Sequence, residues 1–393
     1  MPDIAIIGGG IGGLTAALTL ARRGWRVDVF ERAGELREAG AGVQLSPNAM
    51  KVLSALGLVA ALEPHLTLPE AILIRRGRDD APICRMGLQN AVARWRAPWG
   101  VIHRQALQGV LGEAAAREGA ITLHLACPVE SLTQDQAGAT LQLRDGRRIH
   151  ADAAIGADGL WSTARGALGL DAPPVFAQKW AWRLVAPLAG LPASLRGNQT
   201  TLRLNEASHL VTYPVRGGDS LNLVAITRES DPGKPDWSRE PRPGEAIAAR
   251  FKGWSAPLVA ALAAQQGWHT WPLYDRPPAN VMAKGRVALL GDAAHPMLPF
   301  LAQGAAAAIE DAAVLASLLS PQEQDIAGAL QRYAAARLPR VGRIQAEARR
   351  NGERYHWPRP LSALRDAGLR ALGGERLLGR YDWLYGWEPP ACP

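Results

Sequence analysis

The chain has 393 residues and 42.0 kDa, 48% hydrophobic and 20% charged, which suits a globular protein of two or more domains and excludes a disordered chain, a coiled coil or a collagen-like repeat. Three cysteines, Cys84, Cys127 and Cys392, are too few and too scattered for a disulfide framework or a metal site, and no run of eighteen apolar residues offers a membrane span. The net charge of +8 comes from 39 Arg and 5 Lys against 36 acidic residues, but the Arg are spread along the chain in runs no longer than pairs such as Arg75-Arg76, Arg147-Arg148 and Arg349-Arg350, which is not a nucleic-acid footprint.

Met1-Pro2-Asp3 leads straight into the apolar run Ile4–Ile7 with no basic region or cleavage site, so no secretory signal is expected and a reducing cytoplasm is the simplest location. After the strand at 3–7 come glycines, then a helical pattern from about Ile11 to Arg23, which Gly24 ends. Trp25–Phe30 alternates as a second strand, giving a βαβ opening. A helix is predicted over 48–63, with Ser46 or Asn48 near its start and Pro64 past its end. Another covers 105–118, followed by a strand at 121–125. Asp145-Gly146 is a hairpin signal between Leu141–Leu143 and Arg147–His150, and Ala153–Ala157 is a short apolar strand running into Asp158-Gly159.

Pro173-Pro174 marks a change of character. Strand-like stretches at 180–187, 199–204, 208–215 and 220–227, the last two joined by Gly217-Gly218-Asp219, predict a separate antiparallel sheet. The segment 231–245 reads as a loop. Val287–Leu290 is a strand entering Gly291-Asp292, an Ala-rich helix follows from about Gln303 to Leu319, and the tail after 325 is helical with a polar face.

Three constellations carry chemistry. Gly8-Gly9-Gly10-Ile11-Gly12-Gly13 fits G-x-G-x-x-G between a strand and a helix, where glycines let the backbone approach a pyrophosphate at the helix N-terminus. Glu31, ending the second strand, would accept hydrogen bonds from an adenosine ribose, which makes this a dinucleotide site. Gly156-Ala157-Asp158-Gly159 with Ser162 and Arg165, and Gly291-Asp292-Ala293-Ala294-His295-Pro296 with Gln303-Gly304 and Glu310-Asp311, each place an Asp in a sharp turn after a short apolar strand.

In this order and at these separations the three elements resemble the class A flavin monooxygenases, the FAD-dependent aromatic hydroxylases, and the resemblance covers nearly the whole chain. It implies a doubly wound α/β FAD-binding domain of the glutathione-reductase-like kind, an antiparallel-sheet substrate domain and C-terminal helices. The implied segments are 1–71, 100–172 and 280–340 for FAD, 72–99 and 173–279 for the substrate domain, and 341–393 for the helical region. Gly8, Gly10, Ile11, Gly12, Gly13, Glu31, Arg32, Val43, Arg104, Val129, Asp158, Asp292, Gly304 and Ala305 are the implied FAD contacts. Asp292 would bond the ribityl chain, and the Gly304 and Ala305 N–H groups would face the flavin pyrimidine edge. Gln44 and Ser46 would border the flavin as well.

Leu301-Ala302-Gln303-Gly304 and Tyr381-Asp382-Trp383-Leu384-Tyr385-Gly386 look most like the salicylate, 3-hydroxybenzoate and 6-hydroxynicotinate hydroxylases. The resemblance implies tight, non-covalent FAD, NADH or NADPH as co-substrate without a nucleotide domain of its own, and O₂ adding to give a flavin C4a-hydroperoxide. It implies a small phenolic or heteroaromatic acid as substrate, no nucleic-acid or membrane partner, and a monomer or homodimer.

His209 and Tyr213, at i and i+4 on one strand, would share a face; they match a His/Tyr pair that lines the substrate site in the hydroxybenzoate and hydroxynicotinate hydroxylases, and the resemblance implies His209 as base toward a phenolic hydroxyl. Pro299 and Phe300 complete the expected substrate contacts; Phe300 stands where the hydroxynicotinate hydroxylases place a His, and reads as apolar wall. His295 is expected either to shape its loop or to take part in chemistry, and Arg183 either to receive a substrate carboxylate or, the plainer reading, to be a solvated strand residue. Trp180-Ala181-Trp182 resembles the start of a halogenase motif but lacks its isoleucine-proline ending, so packed core is expected. Two other readings stay open: a flavin monooxygenase of a larger polycyclic or quinolone-like substrate, and a non-catalytic FAD-binding redox protein.

Overall fold

The structure is a computed structural model of the chain and describes residues 3–36, 41–233 and 240–390. Met1-Pro2, Cys392 and positions 234–239 of the expected 231–245 loop lie outside the described residues.

Short runs of aliphatic residues set the first layer. Asp3–Ile7, Ala153–Gly156 and Val287–Leu289 are almost wholly buried, as central strands of a parallel sheet covered on both faces must be. They pair parallel to one another in a six-stranded sheet that continues to Arg26–Phe30 and Ile121–His124 on one side and to the antiparallel Ala283–Lys284 on the other. The helices Ile11–Arg22, Arg104–Arg117 and Gly304–Leu318 pack into the same core. The Asp145-Gly146 hairpin forms as expected, in a small sheet of Val129–Gln134, Ala139–Leu143 and Arg148–Ala151.

The second sheet has seven strands in the order His269–Asp275, Val175–Pro187, Ser220–Arg228, Ser208–Val215, Gln199–Leu204, Ala71–Arg76 and Pro82–Gly87. It is not purely antiparallel. Gln199–Leu204 runs parallel to Ala71–Arg76, because the latter strand enters from a segment 128 residues earlier, as the pairing of Gln199 with Ala71 shows, rather than by a hairpin. Its central strands bury both faces: Leu210, Leu221, Leu223 and Ala225 meet a helical layer carrying Ile247, Phe251, Leu258 and Leu262. Trp182 joins that layer, with its indole donating to Thr227 Oγ1 at 3.0 Å, so half of the expected tryptophan pair is core; Trp180 is half-buried.

Two boundaries differ from expectation. The predicted helix 48–63 breaks into Pro47–Ala55 and Val59–Leu62, because Gly57 takes φ +65° between them. The strand predicted from 180 starts at Val175, with a register shift between Phe176 and Trp180 that hydropathy alone does not reveal. The tail is a 30-residue helix, Ile326–Tyr355, followed by Leu361–Leu372, Gly374–Gly379 and Asp382–Tyr385. Lys51 Nζ donates to the Trp387 carbonyl at 2.9 Å, fastening the end of the tail to the first core. No helix among the described residues is long and apolar enough to cross a membrane.

Candidate active site

The glycine turn is dictated by close packing. Gly8 has φ +110°, and a Cβ there would lie 2.5 Å from the Ala157 carbonyl oxygen; a Cβ on Gly13 would run into the Gly8 carbonyl. Gly10, Ile11 and Gly12 line a cavity of about 300 Å³. The helices Ile11–Arg22 and Gly304–Leu318 both begin at this cavity, and neither carries an acidic residue in its first turn. Their positive ends therefore face the cavity uncancelled, as an anionic pyrophosphate and a reduced flavin require.

The second and third motifs meet at the same place. Asp158 Oδ2 accepts from the Thr163 and Ala164 N–H groups at 2.7 and 3.2 Å, while its Oδ1 is buried without a partner. Burial pushes this carboxyl up against those hydrogen bonds. Arg165 Nη1 donates to the Ala293 carbonyl at 2.7 Å, joining the two turns. The Gly291 turn is held from below, where Asp311 accepts from the Gly291 N–H at 2.9 Å and from Arg337 Nε at 2.6 Å, and pairs with His295 Nε2 at 2.6 Å. His295 is fully buried, and its contact with Asp311 ties the loop to the helix below. Glu310 anchors the helix beside it, accepting from Asn48 Nδ2 at 2.6 Å and from Arg340 at 2.6 and 2.7 Å.

Asp292 and Arg104 line the cavity as charge partners. Asp292 has ample accessible area, yet burial is what raises its carboxyl, opposed by Arg104 and His295. The two observations agree once its exposure is recognised as exposure to the cavity. Val43, Gly304 and Ala305 also line this space. These groups suit FAD: a glycine cradle, two helix N-termini and an acid–arginine pair. Gly8, Gly13, Glu31, Arg32, Val129 and Asp158 do not line the cavity. Glu31 accepts from the Gly9 N–H at 2.7 Å and the Ala33 N–H at 2.9 Å, closing the turn; Arg32 is exposed; Val129 packs on the core. Gln44 lines the cavity, but Ser46 is buried in bonds to Asn48 and Gln303 instead.

One face of the seven-stranded sheet forms the opposite wall. His209, Val211 and Tyr213 alternate outward from Ser208–Val215, and register sets Ile226 beside His209 and Val224 beside both Val211 and Arg183. Arg183 is not solvated. Burial and then Arg104 pull its guanidinium down to about 10, its Nε has no partner, and it lies 5.1 Å from the centre of the Trp271 ring. What accessibility it keeps is toward the cavity. Tyr213 is 3% exposed and sits against Gly42, where any side chain would strike its ring; burial pushes its hydroxyl well up.

A second cavity, about 750 Å³, adjoins the first, and Gln44, His209, Val211, Pro299 and Ala302 line both. Of these two cavities Phe300 lines the second, with its ring 5.5 Å from that of His209 and its carbonyl accepting from Tyr355 Oη at 3.1 Å. Sequence reasoning missed the far wall of this chamber, which the tail supplies through Tyr355, Trp383 and Tyr385. It also missed His356, whose Nε2 lies 2.9 Å from His209 Nδ1. The tyrosine-tryptophan cluster at 381–385 was the available signal; nothing in the sequence pairs 356 with 209.

Residues 1–348 match the FAD binding domain family model. The chain is 39% identical over 389 residues to a 3-amino-4-hydroxybenzoate 2-monooxygenase, PtnB3, of Streptomyces platensis, covering 98% of this chain and 96% of that one. It is 36% identical to 3-hydroxybenzoate 6-hydroxylase 1 of Aquipseudomonas alcaligenes, covering 98% of each. Among solved structures, a salicylate hydroxylase substrate complex superposes with TM-score 0.82 at 28% identity, covering 100% of this chain and 99% of that one. HpxO of Klebsiella pneumoniae, complexed with FAD and uric acid, gives 0.84 at 27%, covering 98% and 96%. The glycine cradle, the Asp292–Arg104 pair and these likenesses have one explanation: the chain belongs to the FAD binding domain family, as a flavin-dependent aromatic monooxygenase.

Proposed function

We propose that this enzyme hydroxylates a small phenolic or heteroaromatic acid, using NADH or NADPH and O₂, with the ring held between the flavin cavity and the sheet face that carries His209, Tyr213 and Arg183. The single observation that carries this reading is the convergence of those three polar side chains, from two strands that flank Ser220–Arg228, on the cavity that the FAD motifs open. Bound FAD supplies hydride acceptance from the nicotinamide and activation of oxygen. The rest falls to the chain. Arg183, buried with an unpartnered Nε, receives the substrate carboxylate in a charge-assisted hydrogen bond. His209, held neutral by burial, takes the phenolic proton at Nε2, which leaves an electron-rich ring. Tyr213, un-ionised, donates to the substrate oxygen. Val211, Val224 and Ile226 keep this region free of water.

Residues 1–71, 100–172 and 280–340 then form the FAD domain, 72–99 and 173–279 the substrate domain, and 341–393 the closing region, in a cytoplasmic monomer or homodimer. The volume of the second chamber favours one alternative, a bulkier aromatic substrate, since about 750 Å³ is the size class of pockets for drug-sized ligands. His209→Ala tests the mechanism: hydroxylation should fall by about 100-fold or more with FAD still bound. Unchanged turnover would remove His209 from it.

A further inference from the structure

His356 stands at the end of the 30-residue helix, 147 residues from His209 in sequence, and contacts it through the ring nitrogens at 2.9 Å. The pair is enclosed by Phe300 and Tyr355, whose rings lie 5.5 and 5.3 Å from that of His209. His356 lines neither the flavin cavity nor the second chamber, so it does not meet a ligand there. Its placement is firmly built. Arg365 Nη1 donates to the carbonyls of Arg354 and Tyr355 at 2.9 Å each, and the His356 N–H caps the helix on Glu353 at 3.1 Å.

With Nδ1 of His209 turned to His356, Nε2 is the ring nitrogen left to serve the cavity that His209 lines. His209 is 2% exposed, whereas His356 is half-buried. A proton taken from substrate at Nε2 therefore has one connected way out. We propose that His356 is a positioning residue for the hydroxylation, a relay that drains the substrate hydroxyl proton from His209 to solvent and returns it to the product. The proposal rests on His209 being the base.

The bookkeeping closes with the negative charge on the substrate phenolate and none stored on either histidine. The Ar–O–H bond breaks and its proton goes to His209 Nε2; the Nδ1 proton of His209 passes to His356 Nε2; the Nδ1 proton of His356 passes to water. Both imidazoles stay neutral with exchanged tautomers, and the reverse sequence, after oxygen insertion, protonates the product oxygen and resets the pair. Neutrality is what the surroundings enforce. Burial holds both rings below the ordinary histidine range, His356 at about 4, and the neighbouring charges are mainly cations: Lys179 faces both rings, and Arg228 and Arg365 face His356. Glu353 is the acid beside Lys179. A relay through neutral tautomers suits this setting, whereas an imidazolium parked on His209 does not.

The test uses the FAD-loaded enzyme with His356→Gln, which keeps a hydrogen-bonding side chain but cannot pass a proton from one nitrogen to another, and with His356→Ala plus added imidazole. The probe is 4-hydroxy-3-nitrobenzoate, whose phenolate is coloured, mixed rapidly with enzyme in H₂O and in D₂O. Phenolate formation should slow by about tenfold or more in His356→Gln, with probe affinity and FAD content unchanged. The solvent isotope effect should change, and imidazole should restore much of the rate to His356→Ala. Wild-type rates and isotope effects in His356→Gln, with His209→Gln still impaired, would overturn the relay and leave His209 as base. Wild-type behaviour in both variants would overturn the base assignment with it.

Discussion

Replacing Arg183 by Met should make the protein more stable and a poorer binder of aromatic acids. A guanidinium drawn down to about 10 by burial and by Arg104 is disfavoured as a cation by about 3 kcal/mol. Met fills similar length without charge and gives up only the contact with Trp271, about 1 kcal/mol. The net expectation is a gain of about 2 kcal/mol, measured as a higher denaturant midpoint at unchanged slope, in both the apoprotein and the FAD-loaded enzyme. A carboxylate that loses a charge-assisted hydrogen bond of about 1.5–3 kcal/mol binds about tenfold to a hundredfold more weakly. Titrating the flavin absorbance of loaded enzyme with 3-hydroxybenzoate measures that loss, and benzamide-type analogues lacking the carboxylate should show none. A variant that is less stable than the parent and binds the acid equally well would refute the reasoning.

Gly13→Ala should yield protein with little bound FAD after purification, because its Cβ meets the Gly8 carbonyl; full flavin content would mean the turn can relax. Phe300→Ala should cost about 3–5 kcal/mol of stability, since the ring is 4% exposed and seated against Gly352. It should also raise the peroxide formed per NAD(P)H consumed, as Phe300 separates the second chamber from the outer pocket at Lys179; unchanged coupling would deny it that role. Acid should destabilise the fold in two stages. Between about pH 6.5 and 4 the unfolded chain takes up protons that the buried His209 and His356 refuse, so stability falls as pH drops through that window. Asp311, pushed up by burial but held at about 2 by His295 and Arg337, adds a further loss between 3.8 and 2. Denaturant midpoints from pH 7.5 to 4.5 check the first stage, and a His209→Gln/His356→Gln double variant should flatten it.

What the sequence made legible was local. The strand-glycine-helix opening, the Asp turns at 158 and 292 and the alternation of His209 with Tyr213 depend on neighbouring residues, and each is where spacing put it. Arg183 was misjudged because strand position does not tell a cavity face from a solvent face when both faces of the sheet are covered. Parallel entry of Ala71–Arg76 into the second sheet, and the meeting of His356 with His209, join segments 120 or more residues apart, a matter of tertiary packing without local pattern. The six implied FAD contacts that do not line the cavity show the same limit: a motif glycine such as Gly13 works by letting backbone approach backbone, not by lining the space.

The most direct test is oxidation of NADH and of NADPH by the FAD-loaded enzyme, with oxygen uptake, peroxide and product assayed together across hydroxylated aromatic acids that include 3-hydroxybenzoate and 3-amino-4-hydroxybenzoate. The account predicts that at least one acid stimulates oxidation and leaves as a hydroxylated product, one oxygen atom gained per nicotinamide oxidised. Oxidation that no small aromatic acid accelerates, or that yields peroxide alone with every one of them, would contradict it.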